Sequence, residues 1–238
     1  MKKLGVIGGL FAVLLLGAAE HPVVKAVLFP FREAVIAARV DSALEPYRFK
    51  LGEPFKAGDT LVTLDTSRYA IEEKRAHDQF DFAKANYEDK KLLRAKNFTS
   101  DFELKKSEYD FRQAENALAD AQLNVSFCTV KAPFAGKIVE FLTREYETIR
   151  PGQPLFRIID DNQLLAVMNV PMDDKALCTV GNSVTIAITG ENLTASRRIY
   201  EVTPQADHRT GTVRIRVLID NAAGQFKAGM TGELIYGQ

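Results

Sequence analysis

The chain has 238 residues, 31 basic against 31 acidic, and 46% of it is hydrophobic. That hydrophobic share excludes wholesale disorder, and a net charge of zero argues against a nucleic-acid binder, which needs a basic face against phosphates. Two cysteines, Cys128 and Cys178, exclude a disulfide scaffold or a multi-cysteine cluster and are expected as separate buried thiols, while His21, His77 and His208 lack ligand-like spacing.

The chain opens on Met1-Lys2-Lys3, an apolar run from Leu4 to Gly17 and the small residues Gly17-Ala18-Ala19. This pattern predicts a secretory signal peptide over residues 1–19, cleaved near Ala19. The alternative is an uncleaved anchor, although the run is shorter than the ~20 residues a spanning helix needs. Residues 20–38 are expected to bring one strand to a later barrel.

A repeat with a constant offset of 94 residues follows. Phe55-Lys-Ala-Gly58-Asp-Thr-Leu61-Val62-Thr-Leu64 matches Ile149-Arg-Pro-Gly152-Gln-Pro-Leu155-Phe156-Arg-Ile158, and Val40-x-Ser42-x-Leu44 matches Phe134-x-Gly136-x-Ile138. Each half reads as short strands around a glycine turn. A half of that size cannot bury its own apolar face, so residues 39–65 and 126–160 are expected to pack as one small β-sandwich. Two mates differ in kind: Ser42 against Gly136, and Gly52 against Tyr146.

Between the halves, residues 66–125 lose glycine and proline and become densely charged. Leu104, Ser107, Phe111, Ala114, Leu118, Ala121 and Val125 recur at heptad spacing, as do Ala76, Phe80, Ala83 and Tyr87. A break at Asn97-Phe98-Thr99 precedes Ser100-x-x-Glu103, a capping box. The insertion is expected to be an antiparallel helical hairpin with a turn over residues 94–99 and a first arm reaching about 45 Å. From residue 161 to 238 the alternation in Val184–Ile188 and Thr212–Ile219, with turns at Gly190-Glu-Asn192 and Asn221–Gly224, predicts a small antiparallel barrel. The expected fold is thus α+β, mainly β.

A split sandwich, an inserted hairpin and a following barrel resemble the HlyD/RND-type periplasmic adaptor (membrane fusion protein) family of tripartite efflux and secretion systems. The matching residues are Gly58-Asp59-x-Leu61-x-x-Leu64-Asp65, Ala132-Pro133-Phe134-x-Gly136, Pro151-Gly152-Gln153-Pro154-Leu155-Phe156-x-Ile158, Val170-Pro171, Gly181, Pro204-x-x-Asp207-x-Arg209-Thr210-x-Thr212-Val213 and Gly229-Met230-x-Gly232. The resemblance implies a lipoyl-like sandwich and a role in transmembrane transport. Such a subunit links an inner-membrane transporter, RND-type favoured with ABC-type the alternative, to a TolC-type outer-membrane channel. It implies a periplasmic, inner-membrane-associated protein that self-associates into a ring, a trimer of dimers or hexamer, with no cofactor, no metal and no catalysis. The family's tip pattern Arg-x3-Leu-x6-Ser is met at Leu93 and Ser100, but its arginine position holds Asp89. Members often continue into a membrane-proximal domain; the chain ends at Gln238, and that domain is expected to be absent or minimal.

The tip residues Leu93, Arg94, Asn97, Phe98 and Ser100 are the candidates for channel binding; closing the hairpin and capping the second helix is the competing account of Leu93 and Ser100. Asn192, Arg197, His208 and Arg209, on the segments Gly190–Arg197 and Ala206–Gly211, are the candidates for transporter contact, against ordinary solvated loops. Asp160-Asp161 and Asp173-Asp174 read as solvated turn carboxylates rather than a metal site, since further ligands at regular spacing are missing. Rival functions are a biotin- or lipoyl-type carrier, which would need a lysine on the turn after Asp65, and an exported coiled-coil scaffold.

Overall fold

The computed structural model describes residues 23–189 and 193–235; the expected leader over residues 1–19 and Asn192 lie outside the described residues. In chain order the elements are β1 (Lys25–Ala37), β2 (Ser42–Ala43), β3 (Pro54–Phe55), β4 (Thr60–Thr63), α1 (Ser67–Ala95), α2 (Asp101–Phe127), β5 (Thr129–Lys131), β6 (Gly136–Phe141), β7 (Thr148–Ile149), β8 (Pro154–Pro171), β9 (Ser183–Ile188), β10 (Leu193–Val202), β11 (Thr212–Asp220) and β12 (Thr231–Ile235). They divide into two compact units, residues 28–166 with 218–230, and residues 23–27 with 167–217 and 231–235.

The sandwich of the larger unit reproduces the sequence repeat bond for bond. The Gly58 N–H donates to Ala132 O and the Gly152 N–H to Ala38 O, both at 2.8 Å, and the Ala132 N–H donates to Asp59 O and the Ala38 N–H to Gln153 O, both at 2.9 Å. Each partner lies 94 positions from its mate. The glycine turn of one half is therefore held by the other half, which is why neither half closes alone. Within each turn a side chain repeats the same device: Asp59 Oδ2 accepts from the Lys56 N–H and Gln153 Oε1 from the Arg150 N–H. Equivalent segments of the two halves bury matching residues, among them Leu61 and Leu155, Val62 and Phe156, and Leu64 and Ile158.

The two mismatched mates have physical reasons. A Cβ on Gly136 would lie 2.1 Å from Ile159 O, so the second half admits only glycine there. In the first half the same carbonyl belongs to Asp65, and the Ser42 hydroxyl donates to it at 2.6 Å. Gly52 and Tyr146 both take left-handed backbone, φ 77° and 66°. Both N–H groups donate across the sandwich, Gly52 to Ile138 O at 2.9 Å and Tyr146 to Leu44 O at 2.8 Å. The fold demands that conformation twice, and the tyrosine meets the demand at a cost of about 1–2 kcal/mol relative to an ordinary backbone. Tyr47 and Phe141, also 94 apart, stack with centroids 4.2 Å from each other.

The acidic pair Asp160-Asp161 does not lie in a turn. It sits within β8, where Asp161 accepts from Lys137 Nζ at 2.7 Å, and that ion pair lets the strand run through two successive carboxylates. Buried Asn221 closes the later turn: its amide donates to Asp161 O and Phe226 O and its oxygen accepts from the Phe226 N–H, all at 2.8 Å.

Six strands, in the order β1-β12-β9-β10-β11-β8, close into a barrel through β1–β8 pairing. Val184, Ile186 and Ile188 of β9 and Ile215 and Val217 of β11 are buried at alternate positions, the period expected of strands with one inward face. Both cysteines are free; Cys128 is buried, but Cys178 is only partly so, which corrects the expectation of two buried thiols. No helix among the described residues is long and apolar enough to cross a membrane.

Candidate functional site

α1 and α2 run antiparallel, and the side chains that lose exposure on α2 include the whole heptad set from Leu104 to Val125, with Glu108, Asn124 and Phe127 beside it. On α1 they include Ala76, Phe80, Ala83 and Tyr87, extended by Tyr69 below and Arg94 above. Phe111 locks the seam, its ring centroid 5.5 Å from Phe80 and 5.7 Å from Tyr87. At the base, Arg68 pairs with Asp41 at 3.0 Å, the Tyr69 hydroxyl lies 2.9 Å from Asp41 O, and the Arg39 guanidinium covers Phe127 at 5.0 Å. Each arm is thus fastened to the sandwich by its own contact. The Asp41 carboxyl sits below the usual carboxylate range, chiefly through the Tyr69 hydroxyl and then Arg68.

The far end is tightly built. Asn97, at φ 60°, follows the last residues of α1; its N–H donates to Arg94 O and that of Phe98 to Leu93 O, the paired bonds of a left-handed helix stop. Ser100 and Glu103 form the expected capping box, the Glu103 N–H donating to Ser100 Oγ at 3.2 Å and the Ser100 N–H to Glu103 Oε2 at 3.4 Å. The Thr99 hydroxyl also donates to Glu103, and with the Ser100 N–H it holds that carboxyl below its ordinary range. Arg94 is not free for a partner: Nε donates to Asp101 at 2.6 Å and Nη1 to Asn97 at 3.2 Å, which ties the end of α1 to the start of α2. Arg94, expected in the connection, falls with Leu93 in the last turn of α1.

What the tip offers outward is apolar. Phe98 is 76% exposed and Leu93 39%, and two residues the sequence reading passed over join them, Leu92 at 63% and Phe102 at 76%. The available signal was position: Leu92 and Phe102 are large apolar residues beside the break that fall off the heptad seam. Exposed apolar residues clustered on a rigid mount describe a docking surface, with no catalytic group among them. Among the described residues no three His, Cys, Asp or Glu side chains stand close enough to hold a metal ion.

The residues proposed for transporter contact separate. Arg197 lies on β10, opposite Val184, not in a loop, and its guanidinium donates to Ser196 O at 2.8 Å. His208 and Arg209 sit in a tight connection in which Asp207 accepts from the Arg209 N–H and the Gly211 N–H donates to Asp207 O, each at 2.8 Å.

Comparison with known proteins agrees with this architecture. The model described as RND MFP, barrel-sandwich hybrid domain matches residues 32–161, and that of the CusB-like β-barrel domain matches residues 166–238. The nickel and cobalt resistance protein CnrB of Cupriavidus metallidurans is 30% identical over 204 residues, covering 80% of this chain and 50% of its own. The nodulation protein NolF of Rhizobium meliloti is 26% identical over 218 residues, covering 85% and 59%. The chain thus spans half to three-fifths of the length of these relatives. In fold it is similar to a MacA–MexA chimera carrying the Pseudomonas aeruginosa MexA α-hairpin, with TM-score 0.80, 19% identity and coverage of 90% and 77%. It is likewise similar to the membrane fusion protein Spr0693 of Streptococcus pneumoniae, with TM-score 0.72, 15% identity and coverage of 90% and 98%. A family match across the sandwich and hairpin and a second across the barrel, in the order the fold displays, place the chain in the RND membrane fusion protein family.

Proposed function

We propose that the protein is a periplasmic adaptor of a tripartite export system, joining an inner-membrane transporter of RND type to a TolC-type outer-membrane channel. The observation that carries this reading is the hairpin tip, where Leu92, Leu93, Phe98 and Phe102 stand exposed on a two-helix stem braced by Arg94–Asp101. Helices of 29 and 27 residues hold that surface about 40 Å from their base. The carrier alternative loses support, because Asp65 leads into α1, its carboxylate accepting from the Ser67 N–H at 2.9 Å, where a carrier needs a lysine-bearing turn. His208, Arg209, Arg197 and Asn192 are the proposed transporter contacts. The mechanism is mechanical: the adaptor aligns and seals two membrane components, and the transporter supplies the energy.

Phe98→Asp or Leu93→Asp should abolish export without lowering the amount of protein, because the tip's hydrogen bonds run through backbone, Arg94, Ser100 and Glu103. Nickel and cobalt tolerance of the host is the first assay, given the name of the relative CnrB. Unchanged export in both variants would defeat the tip reading. Cysteines introduced at His208 and Asn192 should cross-link to the transporter; adducts only between adaptor copies would count against the barrel contact.

A further inference from the structure

The larger unit carries two surfaces with no part in the tip. One is the turn from Leu142 to Glu147, where Tyr146 is 74% exposed and Leu142 39%. Tyr146 occupies a left-handed position whose repeat mate is Gly52. Glycine would satisfy the backbone there, and the exposed ring contributes little to the core, so a strained exposed aromatic points to a role outside the fold. Beside it, Glu145 accepts from the Tyr47 N–H at 3.0 Å and Glu147 from the Arg144 N–H at 3.3 Å. Two carboxylates pinned to the turn, against the single guanidinium of Arg144, leave it acidic.

The other surface is a groove of about 730 Å³ between β1, the end of α2 and β5. Val35, Leu123, Phe127 and Val130 give it apolar walls, and Val35 and Leu123 are half-exposed. Its charged lining is Arg39 and Lys131, with no carboxylate. Neither cation has an acidic partner among the described residues; Arg39 rests on the Phe127 ring. An apolar slot with an aromatic wall and two unneutralised cations complements an exposed tyrosine flanked by carboxylates.

We infer that the Leu142–Glu147 turn of one copy docks in the Arg39/Lys131 groove of the next, with Tyr146 as the anchor. The two surfaces share no residue, so one copy presents both at once. Such a contact is heterologous and, repeated, closes a ring when the rotation closes. The inference rests on the adaptor reading only in that the ring implied by the family resemblance would be built from this contact.

The test is sedimentation of the purified chain, which does not involve the channel. The wild type should associate with increasing concentration. Tyr146→Gly should dissociate at least about tenfold more readily, with no loss of thermal stability, because glycine suits the φ. Leu123→Glu should block the groove with a similar effect. Mixed, the two variants retain one intact turn and one intact groove between them, and they should form a 1:1 pair and nothing larger. The inference is overturned if the wild type stays monomeric, if Tyr146→Gly associates as the wild type does, or if the mixed variants fail to pair. Binding of phosphatidylglycerol vesicles that Leu123→Glu abolishes and Tyr146→Gly retains, without self-association, would assign the groove to lipid and also overturn it. Phe98→Asp should leave sedimentation unchanged, so failure of the tip reading and failure of this one are separate results.

Discussion

The sandwich is closed by bonds between residues 74 and 115 positions apart, Gly58–Ala132 and Ala38–Gln153, around a core that excludes water. The hairpin is closed by a single seam in which Ala76 and Ser107 are buried and most other contacts stay partly wet. One region must be complete before any part of it is stable, whereas the other is a stack of nearly independent turns. The hairpin can therefore change its surface cheaply, and the sandwich cannot. If the tip docks as proposed, its place on the tolerant region and its anchor in the intolerant one let its surface vary while its mount stays fixed.

Truncating one large aromatic in each region gives the sharpest test. Phe156→Ala, in the sandwich core, should cost about 3–5 kcal/mol. Phe111→Ala, in the half-open seam, should cost about 1 kcal/mol, since only part of its burial is lost and water reaches the site. Urea titrations followed by tyrosine fluorescence and by far-UV circular dichroism would read the two. Equal costs would break the comparison.

The repeat's mismatched mates sharpen it within the sandwich. Gly136→Ala forces a methyl against Ile159 O and should cost about 2–3 kcal/mol. Ser42→Gly, at the mate position, removes one side-chain hydrogen bond and should cost about 1 kcal/mol. If Gly136→Ala were the milder change, the close approach would not be what selects glycine there.

How much of this was legible follows from where each constraint acts. The repeat could be read because identical backbone demands recur at one offset and choose the same residues: glycine at 58 and 152, and leucine at 61 and 155. The hairpin seam could be read because burial on a helix follows its period. Leu92 and Phe102 were missed because an exposed apolar residue at a helix end breaks no local rule. Arg197-Arg198 interrupts the apolar alternation and so reads as a loop, while the ladder to β9 keeps the strand intact. Asp161 reads as a turn residue because its neutraliser, Lys137, is distant in sequence. The Tyr47–Phe141 stack joins two mates through tertiary packing alone.

A smaller effect tests the hairpin's own cap. Ser100→Ala leaves the Glu103 N–H without its side-chain acceptor and should cost about 1 kcal/mol of hairpin stability. The loss should appear in the helical signal, with the sandwich transition unmoved. A matching shift in the sandwich transition would show that the two regions unfold as one and that their difference is not energetic.

The smallest predicted effect is a change of slope with pH, and it returns to the sandwich. The Tyr47 phenol is pushed up to about 12, first by burial and then by the Glu145 and Glu147 carboxylates. Its hydroxyl lies 2.9 Å from Thr143 O and 3.2 Å from Leu155 O, so the protonated form is the one the site holds. In the unfolded chain the phenol ionises near its ordinary value of about 10. Between these values the native state keeps a proton that the unfolded state has released, so this contribution is complete below about pH 10 and is lost as the pH rises toward 12. Tyr47→Phe removes the titrating group. The variant should be less stable than the wild type at neutral pH, and the gap should narrow steadily above about pH 10. Chemical denaturation of both proteins at a series of pH values measures that gap directly. A gap that stays constant through this window would mean that Tyr47 ionises alike in both states, and that its place is set by packing against Phe141 and Phe156.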